Sequence, residues 1–389
     1  MDSQIKEFEL KKFIEESFNA FQIYKNEIDE HLNVTLGNVS CDMDSCIGAI
    51  LLGFYLTLKN DYIAHPGDFE KFWLPIINCP RAELKARLDI AYHLKKYDVE
   101  MDKLVFIDDI NLDSYAKKNL LKIAMIDHNE LDVTQKHWGH CVTMIVDHHK
   151  DEKAYLEQPV DRTITFCGSA CSLVVERIFR DGLERFLSMD TFRFFMPAIL
   201  LDTENFKPSL EGSKWSQIDK DAIFNISRLD YSEYYNDLVG TKFSKELNIQ
   251  LELDLILKKD YKNYEWNEKR VLCGISVVFN PLHEILFTFK VDVLKQKLQE
   301  RMKNNNLSFY AIIAQFYLKG TACRELMLFD LDGNRLSHLG KLFAESKVKH
   351  TQKKFTGLKG NFLFYALSDE SISRKKLEPV LREIFDTLK

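Results

Sequence analysis

An aspartate and two consecutive histidines, Asp147, His148 and His149, end the apolar run in "TMIVDHHKDE". Val142 to Val146 is apolar and β-branched until it meets charge, which indicates a short buried strand. Carboxylate and imidazole groups at a strand end can face a cleft, and both are common metal ligands. Alone, these residues fit a metal site and a polar turn, in which the histidines cap backbone groups, equally well.

Further aspartates follow other apolar segments. Asp42 and Asp44 come after "NVTLGN", Asp127 ends "LLKIAMID", and Asp202 ends "MPAILLD". Asp42 or Asp44 could instead cap a following helix, and Asp202 could be a turn residue. Carboxylates that gather at several strand ends repel one another, and divalent cations relieve that repulsion. Four aspartates and one histidine suit Mn²⁺, Mg²⁺ or Co²⁺, so a metal site is the favoured interpretation.

These side chains require a sheet whose strands end at one edge. Strand-like and helix-like segments alternate over residues 1–224, with strands expected at 33–38, 72–80 and 103–109 and in the runs that end at Asp127, Asp147 and Asp202. This alternation predicts an α/β domain with a mostly parallel sheet flanked by helices. Ligands of such sheets bind at the carboxyl ends of the strands.

A chain of 389 residues is long for one hydrophobic core, so two domains are expected. We predict a first domain over 1–224, a hinge over 225–245, and a smaller α/β domain over 246–389, with the active site in the cleft between the domains. In the second domain, "RVLCGISVVF" and "FYAIIAQFYLKG" are typical of strands, "CRELMLF" is expected to pair with the latter, and 377–388 to form the final helix.

Composition excludes several classes of protein. The content of 46% hydrophobic and 29% charged residues is typical of a soluble globular protein, and a net charge of −6 argues against nucleic-acid binding through a basic surface. The eight cysteines form no CxxC pair, which disfavours a thiolate zinc site. No apolar signal or membrane segment is found, so we expect no membrane partner and a reducing, cytoplasmic location with free thiols. The oligomeric state is left open, with a monomer preferred.

Several stretches resemble, in order, the motifs of the DHH phosphoesterase superfamily: "GNVSCDMDS", "IDHNE", "IVDHH", "LLDTENF" and, near the end, "SISRKKLEPVLREIF", which is similar to the Ser-Arg-Lys signature of the DHH-associated C-terminal domain. "FWLPIINCPRAELKARLDI", "GSACSLV" and "LKKDYKNYEW" resemble the exopolyphosphatase and prune members. The resemblance is to the branch that also contains manganese-dependent family II inorganic pyrophosphatases.

The resemblance implies two divalent cations. Asp127 would bridge them, Asp42 would bind one together with the residue at position 38, and Asp44, His148 and Asp202 would bind the other. These ions would activate a water molecule for in-line attack on a terminal phosphorus. Asp127 is therefore a catalytic candidate as well as a ligand.

The remaining roles concern the surroundings of the metals. Asp147 would orient the paired imidazoles, and His149 would face the substrate phosphate or the leaving oxygen. Bacterial-type pyrophosphatases of this branch have histidine where this chain has Asn38, a weaker ligand that favours Mg²⁺ and that we assign to substrate binding. Position 38 argues against a plain pyrophosphatase, whereas "IDHNE" keeps a pyrophosphatase-like form and differs from the double-histidine form of prune.

Basic residues of the second domain are expected to bind phosphate. Arg374 and Lys375 precede the final helix, and they could otherwise be an exposed basic cluster at a helix start. Arginine suits bidentate phosphate binding, and lysine acts as a point charge. Lys242, near the hinge, is a further candidate.

The resulting prediction is an exopolyphosphatase that uses two divalent cations to release orthophosphate from the end of linear polyphosphate. The alternatives are an inorganic pyrophosphatase and a prune-like enzyme acting on short polyphosphates or cyclic nucleotides. An interaction protein on a decayed phosphatase scaffold is disfavoured by the intact acids. An exonuclease of the superfamily would be expected to carry a glycine-rich "GGGH"-like end, which is missing here.

Overall fold

The computed structural model describes residues 9–25, 29–61, 72–226, 230–266, 271–331, 333–355, 361–369 and 372–386. The chain divides into two compact units, Met1–Lys242 (unit 1) and Phe243–Lys389 (unit 2). Each unit has a sheet with hydrophobic clusters that include residues on both of its faces. The predicted α/β class is confirmed for both units.

The sheet of unit 1 is parallel. Its strands are β1 (Leu32–Leu36), β2 (Trp73–Ile77), β3 (Val105–Phe106), β4 (Leu121–Ile126), β5 (Val142–Asp147) and β6 (Asp161–Ile164). They lie in the order β3-β2-β1-β4-β5-β6, so the direction in which successive strands are added reverses between β1 and β4. In parallel sheets this switch point opens a crevice at the carboxyl ends of the strands.

Helices cover this sheet. They are α1 (Leu10–Tyr24), α2 (Met43–Lys59), α3 (Arg81–Leu84), α4 (Leu88–Lys96), α5 (Leu112–Lys117), α6 (Ala170–Arg180), α7 (Met189–Asp202), α8 (Gln217–Ile226) and α9 (Ser232–Phe243). Nearly every residue of α2 is buried because it packs against the sheet and against both α6 and α7. A helix that is apolar all round is expected in such a central position.

The prediction of a strand that ends at Asp202 is wrong, because this segment is helix α7. Its apolar residues are buried on several sides, and Pro197 lies within it. Periodicity does not distinguish a helix that is buried all round from a buried strand. The short polar strand β6 was not predicted at all.

The sheet of unit 2 is mixed. Its strands are β7 (Tyr261–Trp266), β8 (Val271–Val278), β9 (Phe309–Leu318), β10 (Thr321–Phe329), β11 (His350–Lys353) and β12 (Phe362–Leu367), in the order β11-β12-β10-β9-β8-β7. The β8–β9 pair is parallel and the other pairs are antiparallel. The helices are α10 (Lys245–Asn248), α11 (Leu253–Lys258), α12 (Leu282–Phe289), α13 (Val291–Asn304), α14 (Leu336–Glu345) and α15 (Arg374–Asp386).

One helix boundary differs from that expected. The final helix begins at Arg374 and not at residue 377, so Arg374 and Lys375 lie in its first turn. Much of the segment 225–245 is helix α9, while 227–229 fall outside the described residues. The role of this segment as a hinge stays a prediction.

Two global features bear on the expected environment. All eight cysteines are free thiols. Among the described residues, none of the helices combines the length and apolar character that a membrane crossing requires.

Candidate metal centre

The acidic and imidazole side chains meet at the switch point of the parallel sheet. Asp127 directly follows β4, and its φ of 64° is in the left-handed region, which few residues other than glycine, asparagine and aspartate adopt. Its backbone N–H donates to the carbonyl of Val146 on β5 at 3.0 Å, which fixes the turn. The carboxylate is buried, with 3% of the residue exposed.

Both carboxylate oxygens of Asp127 have defined partners. Oδ2 accepts hydrogen bonds from Ser45 Oγ at 2.5 Å and from Asn38 Nδ2 at 2.7 Å. Oδ1 lies 3.2 Å from His148 Nε2. The Asn38 amide also donates to the Asp127 carbonyl at 3.1 Å, and its own oxygen accepts from the backbone N–H of Ser40 at 2.8 Å. Residues from the loops after β1, β4 and β5 therefore converge on one carboxylate.

The two histidines are oriented by different groups. His148 Nδ1 donates to the Cys167 carbonyl at 2.9 Å, which leaves Nε2 facing Asp127. His149 Nδ1 lies 2.9 Å from Asp147 Oδ1, and 48% of its side chain is exposed. Asp147 is fully buried and also accepts from the backbone N–H of His148 at 2.8 Å. Asp147 thus contacts the ring of His149 directly, whereas a carbonyl holds the ring of His148.

Asp44 lies at the start of α2 and reaches the N-terminus of α6. Its carboxylate accepts from Ser169 Oγ at 2.6 Å and from the backbone N–H groups of Ala170 and Cys171 at 2.7 and 3.2 Å. The positive end of a helix stabilises a buried carboxylate. The same carboxylate is 3.8 Å from His148 Nε2, so it borders the imidazole that faces Asp127.

Asp42 is the exposed N-cap of α2, where its side chain accepts from the backbone N–H of Ser45 at 3.1 Å. The capping alternative therefore applies to Asp42, without removing it from the acidic cluster. Asp202 is the last residue of α7. Loss of hydration, followed by the charges of Asp44, Asp42 and Asp127, raises the pKa of Asp202 well above its ordinary value.

The carboxylates perturb one another strongly. Burial, followed by the charges of Asp42 and Asp44, raises the pKa of Asp127 to about 8. Burial acts to lower the pKa of His148, but its contacts with Asp127 and Asp44 outweigh that effect and raise it to about 10. In the absence of cations, Asp127 and His148 therefore hold protons more strongly than usual, and these protons reduce the repulsion among the carboxylates.

The donor set fits divalent cations. Single ligand atoms of Asp127, Asp147, His148 and His149 all lie within 4.8 Å of one another. Of the predicted ligands outside this group, Asp44 lies 3.8 Å from His148 Nε2; the charges of Asp42 and Asp44 act on the pKa of Asp127, and the charge of Asp127 acts on the pKa of Asp202. Oxygen donors with one or two imidazoles suit Mg²⁺, Mn²⁺ or Co²⁺, and a cation would relieve the repulsion.

Two of the three predicted substrate-binding cations have protein partners among the described residues. Lys242 Nζ lies 3.5 Å from Asp89 Oδ2 within unit 1. In unit 2, Arg374 Nη1 is 2.6 Å from Asp260 Oδ1 and also donates to the backbone carbonyl of that residue at 3.0 Å. Lys375 is exposed. The assignment of these three cations to phosphate binding stays a prediction.

Sequence reasoning missed the polar residues that hold the ligands. Ser45 and Asn129 lie inside quoted motifs, and Asn129 Nδ2 donates to Asp147 Oδ2 at 2.5 Å. Ser169, which donates to Asp44, lies inside "GSACSLV". Their positions beside the acids were the available signal, because buried carboxylates require donors.

Comparison with known proteins adds relatives for both units. Residues 245–384 match the DHHA2 domain family. Exopolyphosphatase PRUNE1 of Rattus norvegicus is 25% identical over 359 residues, which cover 90% of this chain and 75% of the relative. A "putative exopolyphosphatase" of Schizosaccharomyces pombe is 32% identical over 247 residues, covering 61% and 55% of the two chains.

A solved structure shares the fold. The crystal structure of a Methanococcus jannaschii "putative family II inorganic pyrophosphatase" aligns with a TM-score of 0.56 and 18% identity, covering 91% of this chain and 100% of the other.

Proposed function

Since this chain belongs to the exopolyphosphatase and prune branch of the DHH phosphoesterase superfamily, we propose that it is a metal-dependent exopolyphosphatase that releases orthophosphate from the end of linear polyphosphate. That it is a hydrolase of this superfamily follows from its relatives, and the substrate is the part that we propose. The observation that supports it best is the buried Asp127 carboxylate, which lies between His148 on one side and Asn38 and Ser45 on the other.

We propose that two divalent cations, Mg²⁺ or Mn²⁺ with Co²⁺ as a further candidate, bind the acidic cluster. The residues that would hold these cations are Asp42, Asp44, Asp127, His148 and Asp202, and Asp127 would be a ligand common to both. Bound cations supply Lewis acidity, lower the pKa of a water molecule and neutralise phosphate charge. Asn38 and Ser45 fix Oδ2 of Asp127, so that Oδ1 keeps its direction towards His148.

His149 is the proposed contact to the substrate. Its Nδ1 is bound by Asp147, so Nε2 is the nitrogen that can reach a phosphate oxygen. The hydrogen bond that His149 Nδ1 donates to Asp147, the largest contribution, raises the pKa of His149 and favours a protonated ring. A protonated imidazole can donate to a phosphate oxygen and give its proton to the departing one.

Arg374 and Lys375 of unit 2, with Lys242, are the proposed ligands for further phosphates of the chain. Asp260 contacts Nη1 of the Arg374 guanidinium, which carries five N–H groups in all, and 12% of the Arg374 side chain is exposed. Polyphosphate offers successive anionic groups, for which several cations are better suited than one.

Three other substrates fit the same chemistry. Pyrophosphate is favoured by the "IDHNE" stretch, and short polyphosphates or cyclic nucleotides by the similarity to prune proteins. Each requires the same metal centre, so loss of the centre does not separate them. Only substrate preference does.

The test is orthophosphate release from pyrophosphate, tripolyphosphate and long polyphosphate, measured side by side with Mg²⁺ or Mn²⁺. Turnover of the tri- and longer phosphates, with pyrophosphate left over, is expected. Preferential hydrolysis of pyrophosphate would favour the first alternative. If the protein binds Mn²⁺ but releases phosphate from none of the three, the phosphoanhydride substrates would be rejected. Cyclic nucleotides would then be tested.

A further inference from the structure

A second buried carboxylate lies behind the metal centre. Asp219, in the first turn of α8, is fully buried and accepts four hydrogen bonds. Its donors are the backbone N–H groups of Gly168 (2.7 Å), Ser169 (3.2 Å) and Ser216 (2.9 Å) and the hydroxyl of Ser172 (2.6 Å). Among the described residues no cation pairs with it, so the donors alone compensate its charge.

Helix capping explains only part of this arrangement. Ser216 and Asp219 have the spacing of a capping box, in which the third residue of the helix accepts from the backbone N–H of the N-cap. Capping accounts for one of the four bonds. The other three tie Asp219 to residues 167–172, a segment about 50 positions earlier in the chain (|i−j| of 47 to 51).

The first part of this segment, residues 167–170, which we call the 167–170 loop, supports two proposed metal ligands. The carbonyl of Cys167 accepts from His148 Nδ1 at 2.9 Å. Ser169 Oγ and the Ala170 N–H donate to Asp44. Asp219 and Asp44 therefore bind the same loop through different donors, and the position of the loop sets the orientation of the His148 ring.

The loop has little room to adjust. A Cβ added to Gly168 would lie 2.7 Å from Thr203 Cγ2 and 3.2 Å from Trp215 Cβ. Thr203 directly follows Asp202, the third proposed ligand of the same cation. A shift of the loop would therefore disturb the residue beside that ligand as well.

We propose that Asp219 is a positioning residue of the metal centre, which sets the affinity of the cation bound by Asp44 and His148 through the 167–170 loop. A ligating histidine needs its second nitrogen bonded, because that bond fixes both the tautomer and the ring orientation. Asp219 anchors the acceptor of that bond. The inference rests on the proposed metal centre and not on the identity of the substrate.

The test is Mn²⁺ binding to the full-length protein, followed by electron paramagnetic resonance of the free ion. Asp219→Asn keeps the size of the side chain but removes its charge. It is expected to weaken one class of Mn²⁺ site by roughly 10- to 100-fold, the range typical of residues that orient metal ligands. The affinity of the other class of Mn²⁺ site should change by less than about twofold. A general loss of stability would not produce this difference between the two classes of site.

Two further variants complete the experiment. Asp221→Asn is the matched control, because Asp221 is exposed on the same helix and should bind Mn²⁺ as the wild type does. If Asp219→Asn does not fold cooperatively, Ser172→Ala removes a single bond to Asp219 and should weaken the same site roughly fivefold.

Unchanged affinity in a folded Asp219→Asn protein, or in Ser172→Ala where Asp219→Asn does not fold, would overturn the proposal. Equal weakening of both classes would do so as well. A wild-type protein that binds no Mn²⁺ would instead reject the metal centre itself, and with it the proposed function.

Discussion

Asp127 is the residue at which metal binding and the stability of the metal-free protein oppose each other. Its carboxylate is buried beside Asp42 and Asp44, and this environment raises its pKa to about 8. A carboxyl group whose pKa is higher in the folded than in the unfolded protein destabilises the fold where it must ionise. The ionised Asp127 carboxylate that the cations require therefore destabilises the fold when no cation is bound.

Asp127→Asn should reduce phosphate release to background and stabilise the protein in EDTA. Between about pH 4 and pH 8 the folded protein holds a proton on Asp127 that the unfolded chain has lost, so the stabilisation should grow over this range. It should be complete above pH 8 and absent below about pH 4. At pH 8 we expect at least ~1 kcal/mol from chemical denaturation. Asp98→Asn, an exposed acid of the same unit, should change neither property.

Asn38 holds the carboxylate of Asp127 from the loop after β1. Its amide donates to Asp127 Oδ2 and its oxygen accepts from Ser40, so both polar ends are used inside the protein. The sequence identified the position, but not this role in holding Asp127. Such a contact depends on a loop conformation that residue types alone do not specify.

Asn38→His should increase activity with Mn²⁺ or Co²⁺ relative to Mg²⁺, because an imidazole prefers these ions. We expect a shift of about tenfold in the ratio of activities, measured at saturating metal. Asn38→Ala, which removes the contact with Asp127 without adding a ligand, is the comparison. A higher Mn²⁺ to Mg²⁺ ratio in that variant too would contradict the argument.

At the scale of elements, the strands of the parallel sheet were the most predictable part of the fold. The predicted strands that lead to Asp42, Asp127 and Asp147 all form, because each is a short buried run that ends at a glycine turn or at charge. Helix α7 was mistaken for a strand because it is apolar on several faces. Asp219 was overlooked because three of its four hydrogen-bond donors are backbone N–H groups, which residue types do not reveal.

Gly168, in the loop that precedes α6, and Gly240, in helix α9, give a matched pair of glycine substitutions. Gly168→Ala would place a methyl group 2.7 Å from Thr203 Cγ2 and should destabilise the protein by about 1–3 kcal/mol. Gly240→Ala, in helix α9 with no heavy atom within 4 Å of the new Cβ, should stabilise it by up to ~1 kcal/mol. Chemical denaturation measures both, and equal effects would show that the loop is not constrained.

At the scale of the whole molecule, the two units carry different kinds of groups. The acids and imidazoles of the proposed metal centre belong to unit 1, whereas Arg374 and Lys375 belong to unit 2, in the part that matches the DHHA2 domain. The division predicts that metal affinity and substrate affinity can be changed separately.

Lys375→Ala should raise the KM for polyphosphate by about tenfold, the effect of one hydrogen bond to a charged group, and leave Mn²⁺ affinity unchanged. Lys376→Ala, at the next exposed position of the same helix, is the control. The measurements are steady-state phosphate release and Mn²⁺ binding. An equal rise in KM for both variants would mean that general positive charge, and not a specific contact, attracts the substrate.

The strand order has a consequence for biosynthesis. β1 pairs with β2 on one side, but its other partner, β4, begins 89 residues later, with Leu32 opposite Leu121. At the usual rates of translation, β1 waits roughly 5 to 20 s for that partner. Every residue of β1 is buried in the folded protein, so the nascent chain exposes an unpaired apolar edge during this interval. The middle of the sheet is therefore where a chaperone has most to protect.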